Sequence, residues 1–186
     1  LDSFSSDDTI KILKKYNIVY KQKKFISFGN QWNYALKIFN IKSKFTMKLD
    51  PDERLTEKLK IEILENLKNK NNIGYSFDRV LYFMGKELPI SQEVTRIWKT
   101  GKAKFTDVLV NETPIIEGNI FKLSEKLIHL DSPNLEHWYT KQNKYSSFEA
   151  IARVKNQHLP FNPSLFGNRE NKRMWLKQNF PNIPGR

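Results

Sequence analysis

Met47-Lys48-Leu49-Asp50-Pro51-Asp52-Glu53 is the stretch on which the fold turns: a short apolar-leaning run stops at two carboxylates one residue apart, and a helical pattern begins just beyond. Side chains at i and i+2 of a strand point to one side, so Asp50 and Asp52 converge on a point past the strand's end. Pro51 lacks an N–H and biases Asp50 toward extended backbone, which holds the first carboxylate out of the following helix. Two hard oxygen donors at a strand terminus suit Mg²⁺ or Mn²⁺, ions that take one or two carboxylates and fill their shell with water and substrate phosphates. Asp-Pro-Asp is equally ordinary in a surface turn, and spacing alone leaves the two readings level.

Upstream of this stretch the chain alternates strand and helix signals. Leu1-Asp2 reads as the end of a strand, followed by a loop of capping residues and a helix from about Asp8 to Tyr16 with Ile10, Leu13 and Ile12 facing inward. Ile18 to Phe25 alternates as a strand would. Gly29-Asn30 opens a second helix, Gln31 to Phe39, with Trp32, Ala35, Leu36 and Phe39 at helical spacing. Phe45 to Leu49 is then the strand that delivers the aspartates. Strands and helices in this order imply parallel strands joined by right-handed crossovers. Ligands of such sheets bind beyond the carboxyl ends of the strands, where Asp2 and the Asp50/Asp52 pair would both lie, and this favours the metal reading over the turn.

Downstream, Thr56 caps a helix whose face is Leu59, Ile63, Leu64 and Leu67. From Gly74 the period shortens. Tyr75 to Met84, Glu93 to Trp98 and Lys104 to Val110 read as antiparallel or mixed strands, separated by turns at Met84-Gly85-Lys86 and Thr100-Gly101-Lys102. One more strand falls within Ile120 to Asp131, ending at His129, and a helix runs from about Asn134 to Val154.

Length and composition set the outer bounds. The 186 residues suffice for one domain with a substantial core, and 39% hydrophobic content with 13 Phe, 7 Tyr and 4 Trp argues against disorder. The absence of cysteine excludes disulfides and thiolate metal sites. No run reaches the roughly 20 apolar residues of a membrane span. The formal charge of +12 predicts attraction to an anionic partner: nucleic acid, phosphorylated substrate or acidic membrane surface. From Arg153 to Arg186 seven basic residues stand against one acid, half of the chain's net charge, interleaved with Phe161, Leu165, Phe166, Met174, Trp175, Leu176 and Phe180. That composition fits an interfacial membrane helix, and equally a terminal helix packing Trp175 on the domain with its lysines in water.

Several stretches together resemble the family 2 glycosyltransferases. Asp2-Ser3-Phe4-Ser5-Ser6-Asp7-Asp8-Thr9 resembles their "DSxSxDxT" run. Leu49-Asp50-Pro51-Asp52-Glu53-Arg54-Leu55 resembles the "LDADERL" form of their DxD motif, and Phe28-Gly29-Asn30-Gln31-Trp32-Asn33-Tyr34-Ala35-Leu36 the helix between the two. Phe105 through Val110-Asn111-Glu112, then His129-Leu130-Asp131-Ser132 and Trp138 through Tyr145, are similar to the bacterial branch that builds lipopolysaccharide core and exopolysaccharide. The family's opening strand has no counterpart here, the first residue is not Met, and the expectation is a fragment truncated at its N-terminus. Asn111 stands where several relatives have His, so it is no candidate metal ligand.

The resemblance implies an α/β chain of GT-A, Rossmann-like architecture: a mixed sheet flanked by helices, missing its first strand, over residues 1–155, with a basic, aromatic helical extension over 156–186. It implies inverting transfer of a sugar from a nucleotide-diphosphate donor to a glycan or lipid-linked glycan acceptor, in the cytoplasm at the inner face of the plasma membrane, with peripheral contact to anionic lipid and no nucleic-acid partner. Asp50 and Asp52 would hold Mg²⁺ or Mn²⁺ and the donor, with His129 as a further metal ligand, and Asp2 and Ser3 would contact the nucleoside. The acceptor hydroxyl needs one carboxylate base. Glu112, at a strand-to-loop change before Thr113-Pro114, is the first candidate and Asp107 the second. Against each role stands a plainer one: solvated loop acids for Glu112 and Asp107, a hydrogen-bonded core histidine for His129. Trp32, Trp98 and Trp138 could stack on sugar or base, although helical spacing already explains Trp32 and Trp138 as core. The rival class is a basic nucleic-acid-binding module, which accounts for the charge but not for the convergent carboxylates.

Overall fold

The computed structural model describes residues 1–69, 71–107, 109 and 112–154. The extension expected over 156–186 lies outside the described residues. In chain order the elements are α1 (Thr9–Lys15), α2 (Phe28–Ile38), β1 (Phe45–Met47), β2 (Glu53–Leu55), α3 (Glu57–Asn66), β3 (Gly74–Phe83), β4 (Lys86–Lys99), β5 (Ala103–Phe105), β6 (Pro114–Ile116), β7 (Ile120–Lys122), β8 (Leu127–Ser132) and α4 (Leu135–Val154). The main sheet is mixed, in the order β1-β4-β3-β8-β2 with β7 also on β3, and β5-β6 form a separate ribbon.

The centre of this sheet is the β3–β4 hairpin. Met84 and Gly85 turn it at φ 49° and 78°, the positive values that two-residue hairpin loops require. β8 then returns parallel to β3 and antiparallel to β2, so the chain segment after Asp52 becomes the far edge of the same sheet.

Alternation along β4 sorts the two faces. Ile97 joins Leu59, Ile63, Tyr75, Phe77, Leu123 and Leu127 in a core closed by α3, whose Thr56 cap accepts from the Leu59 N–H at 3.1 Å. Trp98, the next residue, faces the other way and packs edge-on to Phe105, which Trp32 of α2 covers with ring centroids 5.8 Å apart. The helices therefore lie on both faces. A fully buried Phe77 or Leu59 contributes roughly 1.5–3 kcal/mol of hydrophobic stabilisation. α4 begins at Asn134, whose side chain accepts from His137 N at 2.8 Å, and lays Trp138 on Phe83, Tyr145 on Phe28 and Phe148 near Phe25.

Several expectations are corrected here. Ile18 to Phe25 is no strand: Gln22 alone makes a parallel bridge to Asp2, because Leu1-Asp2 offers too short a partner for a ladder. The aspartate strand β1 runs antiparallel to β4, so the parallel pairings of the sheet are β3 with β8 and with β7. α1 buries no residue fully: Ile10 and Leu13 are half-buried, while Ile12 is 54% exposed. Of the strand expected over Lys104 to Val110, Lys104 and Phe105 fall in β5 and Thr106 and Asp107 lie beyond it, Val108 and Val110 being outside the described residues; the strand expected to end at His129 runs on to Ser132.

α2 starts at Ser27, not Gly29: the Ser27 hydroxyl caps Asn30 N, and Gly29 is buried inside the first turn. A Cβ on Gly29 would stand 1.9 Å from the Thr106 carbonyl oxygen and 3.3 Å from Asp107 Cα. Gly29→Ala must push α2 off the β5 end, and the expected loss is about 3 kcal/mol in denaturant titration, the upper part of the range for overpacked cores. Unchanged stability would show that α2 can shift freely.

Candidate functional site

Beyond β1 the chain keeps one more bond to β4, Lys48 N to Arg96 O at 2.9 Å, and then turns. Glu53 N closes the turn on Asp50 O at 2.9 Å, and the Glu53 carboxylate returns to accept from Asp50 N at 3.0 Å. The tip is then clamped to β8 by Leu130 N donating to Asp52 O at 2.8 Å. The turn reading and the acidic-site reading thus describe the same four residues.

The two aspartates do not share one partner. Asp50 accepts from Arg96 at 2.9 Å and lies 3.5 Å from the Lys48 ammonium. Asp52 lies 3.0 Å from His129 Nε2 and 3.6 Å from Lys141, whose main partner is Asp131 at 2.5 Å. Burial works to raise the Asp52 carboxyl, but the hydrogen bond and electrostatic pull of His129, with the charge of Lys141, outweigh it and hold Asp52 below the usual carboxylate range. Lys141 is likewise held above the ordinary lysine value: burial opposes its charge, and the bond and charge of Asp131, with Asp52, overcome that.

Under the aspartates lies a buried charge layer. Glu53, with a fully buried side chain, accepts from Arg96 at 2.5 Å and Arg79 at 3.2 Å. Burial again opposes its ionisation, and the Arg96 bond and charge, the Asp50 N–H and Arg79 keep it ionised and low. Lys48, 5% exposed, donates to Glu112 at 2.8 Å while its ammonium stands 4.9 Å above the Trp32 ring. Tyr145 of α4 completes the wall. Its phenol is raised by burial, partly offset by Lys141, with Glu112, Asp52 and Asp50 adding to the rise.

The structure therefore joins Asp50 to Glu112 through Lys48 and pairs Asp52 with His129, so the two aspartates expected to converge on one point face different partners from one turn. Asp107 is exposed at the end of β5, with Ser27 Oγ at 3.5 Å. Asp2 and Ser3 form a neighbouring loop tied to the cluster through α2, for Gln31 donates to Ser3 Oγ at 2.7 Å while Trp32, beside it, covers Lys48. The Asp2 carboxylate is spent on its own loop, accepting from Ser5 Oγ at 2.5 Å, Gln22 at 2.9 Å and Phe4 N at 2.9 Å, and the Ser5 and Gln22 bonds above all lower its pKa to about 2. Trp98 is core, and Trp138 packs on Phe83 and Tyr139.

For a divalent ion the donors that fit are the Asp52 carboxylate and the His129 imidazole, adjacent and partly open. Among the described residues no group of three His, Cys, Asp or Glu side chains is placed to hold a metal, so water and substrate oxygens would have to fill the shell, as they do for Mg²⁺ and Mn²⁺.

With this geometry in place, comparison with known proteins adds a direction. No family model matches the chain. It is 24% identical over 171 residues to an uncharacterized glycosyltransferase of Rickettsia conorii, covering 83% of this chain and 60% of that protein. A Rickettsia felis protein named in the same way matches at 24%, and a Rickettsia prowazekii one at 23% with 58% of its length covered. All three are named glycosyltransferases. The chain spans about 60% of the length of these curated relatives.

Sequence reasoning missed Lys48, Glu53, Arg96, Lys141 and Tyr145. Lys141 and Tyr145 stand one helical turn apart in the quoted Trp138–Tyr145 stretch, a spacing that already put them on one face. Nothing local pointed to Arg96, which meets Asp50 only through the β1–β4 pairing.

Among the described residues no helix is long and apolar enough to cross a membrane.

Proposed function

We propose that this chain is the donor-binding part of an inverting glycosyltransferase of the GT-A, family 2 kind, in the lipopolysaccharide and exopolysaccharide branch. The observation that carries the reading is the turn that sets Asp50, linked through Lys48 to Glu112, next to Asp52, paired with His129, in a chain similar to proteins named glycosyltransferases. A nucleic-acid-binding role gains nothing from it, since five carboxylates, Asp50, Asp52, Glu53, Glu112 and Asp131, are gathered where phosphates of a backbone would have to lie.

Each residue has a distinct task. Mg²⁺ or Mn²⁺ held by Asp52 and His129 would supply Lewis-acid stabilisation of the departing diphosphate. Asp50, fixed by Arg96 and Lys48, shapes the turn that presents Asp52 and lines the donor site. Asp2 holds the loop on which Ser3 and neighbouring backbone receive the nucleoside. Glu112 accepts the acceptor proton, its carboxylate oriented by Lys48 at 2.8 Å. Asp107 is the second candidate. The acceptor is a glycan or lipid-linked glycan at the inner face of the plasma membrane, a proposal resting on the family resemblance.

The test is a thermal-shift screen of nucleoside diphosphate sugars with Mn²⁺, followed by mass spectrometry of donor cleavage. A ligand at a hundredfold excess over its Kd stabilises by about 2.7 kcal/mol. At least one donor should do so and release its nucleoside diphosphate; a panel without any such donor overturns the reading. Glu112→Gln should bind that donor normally and lose turnover by about a hundredfold or more. Equal loss from Asp107→Asn, with Glu112→Gln silent, moves the base to Asp107.

A further inference from the structure

Four cations surround the acidic cluster, and their freedom differs. Lys48 and Arg96 have side chains 5% and 7% exposed, and each bridges two carboxylates. Arg79 is divided between Glu53 and Gln92. Lys141 is different: 23% exposed, on a flexible four-carbon stem, it is held closely by Asp131 and only at 3.6 Å by Asp52, which has His129 nearer at 3.0 Å. Its contact with Asp52 can be given up without stranding either charge. Tyr145, at i+4 on the same face of α4, is held by a stack on Phe28 with centroids 6.3 Å apart and planes 8° from parallel. Its phenol is a hydrogen-bond donor one helical turn from the Lys141 ammonium.

We propose that Lys141 and Tyr145 form a two-point subsite for the donor's diphosphate, Lys141 turning its ammonium from Asp52 onto phosphate oxygens while Tyr145 donates its hydroxyl hydrogen to them. The proposal rests on the glycosyl-transfer reading of the same site and assigns the α4 face to the leaving group. An ammonium suits this task because it is a compact point charge that can follow a phosphate oxygen through small displacements. Asp131 holds the ammonium itself at 2.5 Å, keeping it on the site wall while its other N–H bonds turn from Asp52 to phosphate.

Magnesium pyrophosphate is the probe, since it carries the diphosphate without sugar or base. Calorimetric titration of the whole chain should show Lys141→Ala binding about tenfold more weakly and Tyr145→Phe about threefold, the size of losing one charged and one neutral hydrogen bond. Lys141→Arg should recover most of the affinity. Lys104→Ala, at an exposed position of β5, should bind as the wild type does and controls for net charge. Four results overturn the proposal: no pyrophosphate binding by the wild type, unchanged affinity in Lys141→Ala, a loss no greater than that of Lys104→Ala, or a lowered melting temperature in Lys141→Ala at constant affinity. The last would confine Lys141 to a structural pairing with Asp131. Failure of the parent reading looks different: pyrophosphate would bind with the expected variant effects while no nucleotide sugar is cleaved.

Discussion

Asp52→Ala is expected to lower sugar transfer about a thousandfold with little change in stability, a loss on the scale of removing one preorganised electrostatic stabiliser of a transition state. Little core volume disappears, since the Asp52 side chain is 35% exposed, and Lys141 keeps its closer partner Asp131. His129 alone is left unpaired, at a cost of about 1 kcal/mol for an ordinary hydrogen bond. Asp50→Ala should behave in the opposite way, with a larger share of its effect on stability, because it strips one carboxylate from the buried Arg96 and from Lys48. Steady-state kinetics beside thermal melts separates the two. Wild-type turnover in Asp52→Ala would remove the donor-binding assignment.

The largest effect on stability is expected from Glu53→Ala. Arg96 would then sit 93% buried with Asp50 as its remaining carboxylate, Asp50 N would lose its acceptor, and Arg79 would keep only Gln92. Breaking a buried pair by removing one partner costs about 3–5 kcal/mol. Glu53→Gln retains an acceptor oxygen and should cost less. Urea titration is the measurement, and a loss under 1 kcal/mol in Glu53→Ala would show that water reaches Arg96 freely. Glu53→Leu combined with Arg96→Met should recover much of the stability, as apolar replacements of buried ion pairs often do. The same double variant releases Asp50, so recovered stability without recovered transfer would separate folding from function.

Local signals in the sequence were sufficient for α2, α3 and the β3–β4 turn. Trp32, Ala35 and Leu36 recur at helical spacing, Thr56 is a capping residue before an apolar face, and Gly85 supplies the positive φ of a tight turn. β2 escaped notice because Glu53-Arg54-Leu55 carries no strand pattern; it is a strand because β8 pairs with it, Glu53 facing His129 across the ladder. The acids Asp50, Asp52 and Glu112 were visible as residue types in a telling order. Their cations were not, because Lys48, Arg96 and Lys141 are ordinary in a chain with 32 Lys and Arg, and only tertiary pairing distinguishes them. Ile12 was misread for a related reason: a periodic face shows that a helix can bury it, not that anything is there to cover it.

The long reach of the Asp52–His129 pair, 77 residues along the chain, has a consequence for biosynthesis. A ribosome exposes Asp52 well before it makes His129 and Lys141, so the Asp52 side-chain contacts form only once β8 and α4 have emerged, whereas Asp50 and Glu53 find Lys48, Arg79 and Arg96 earlier.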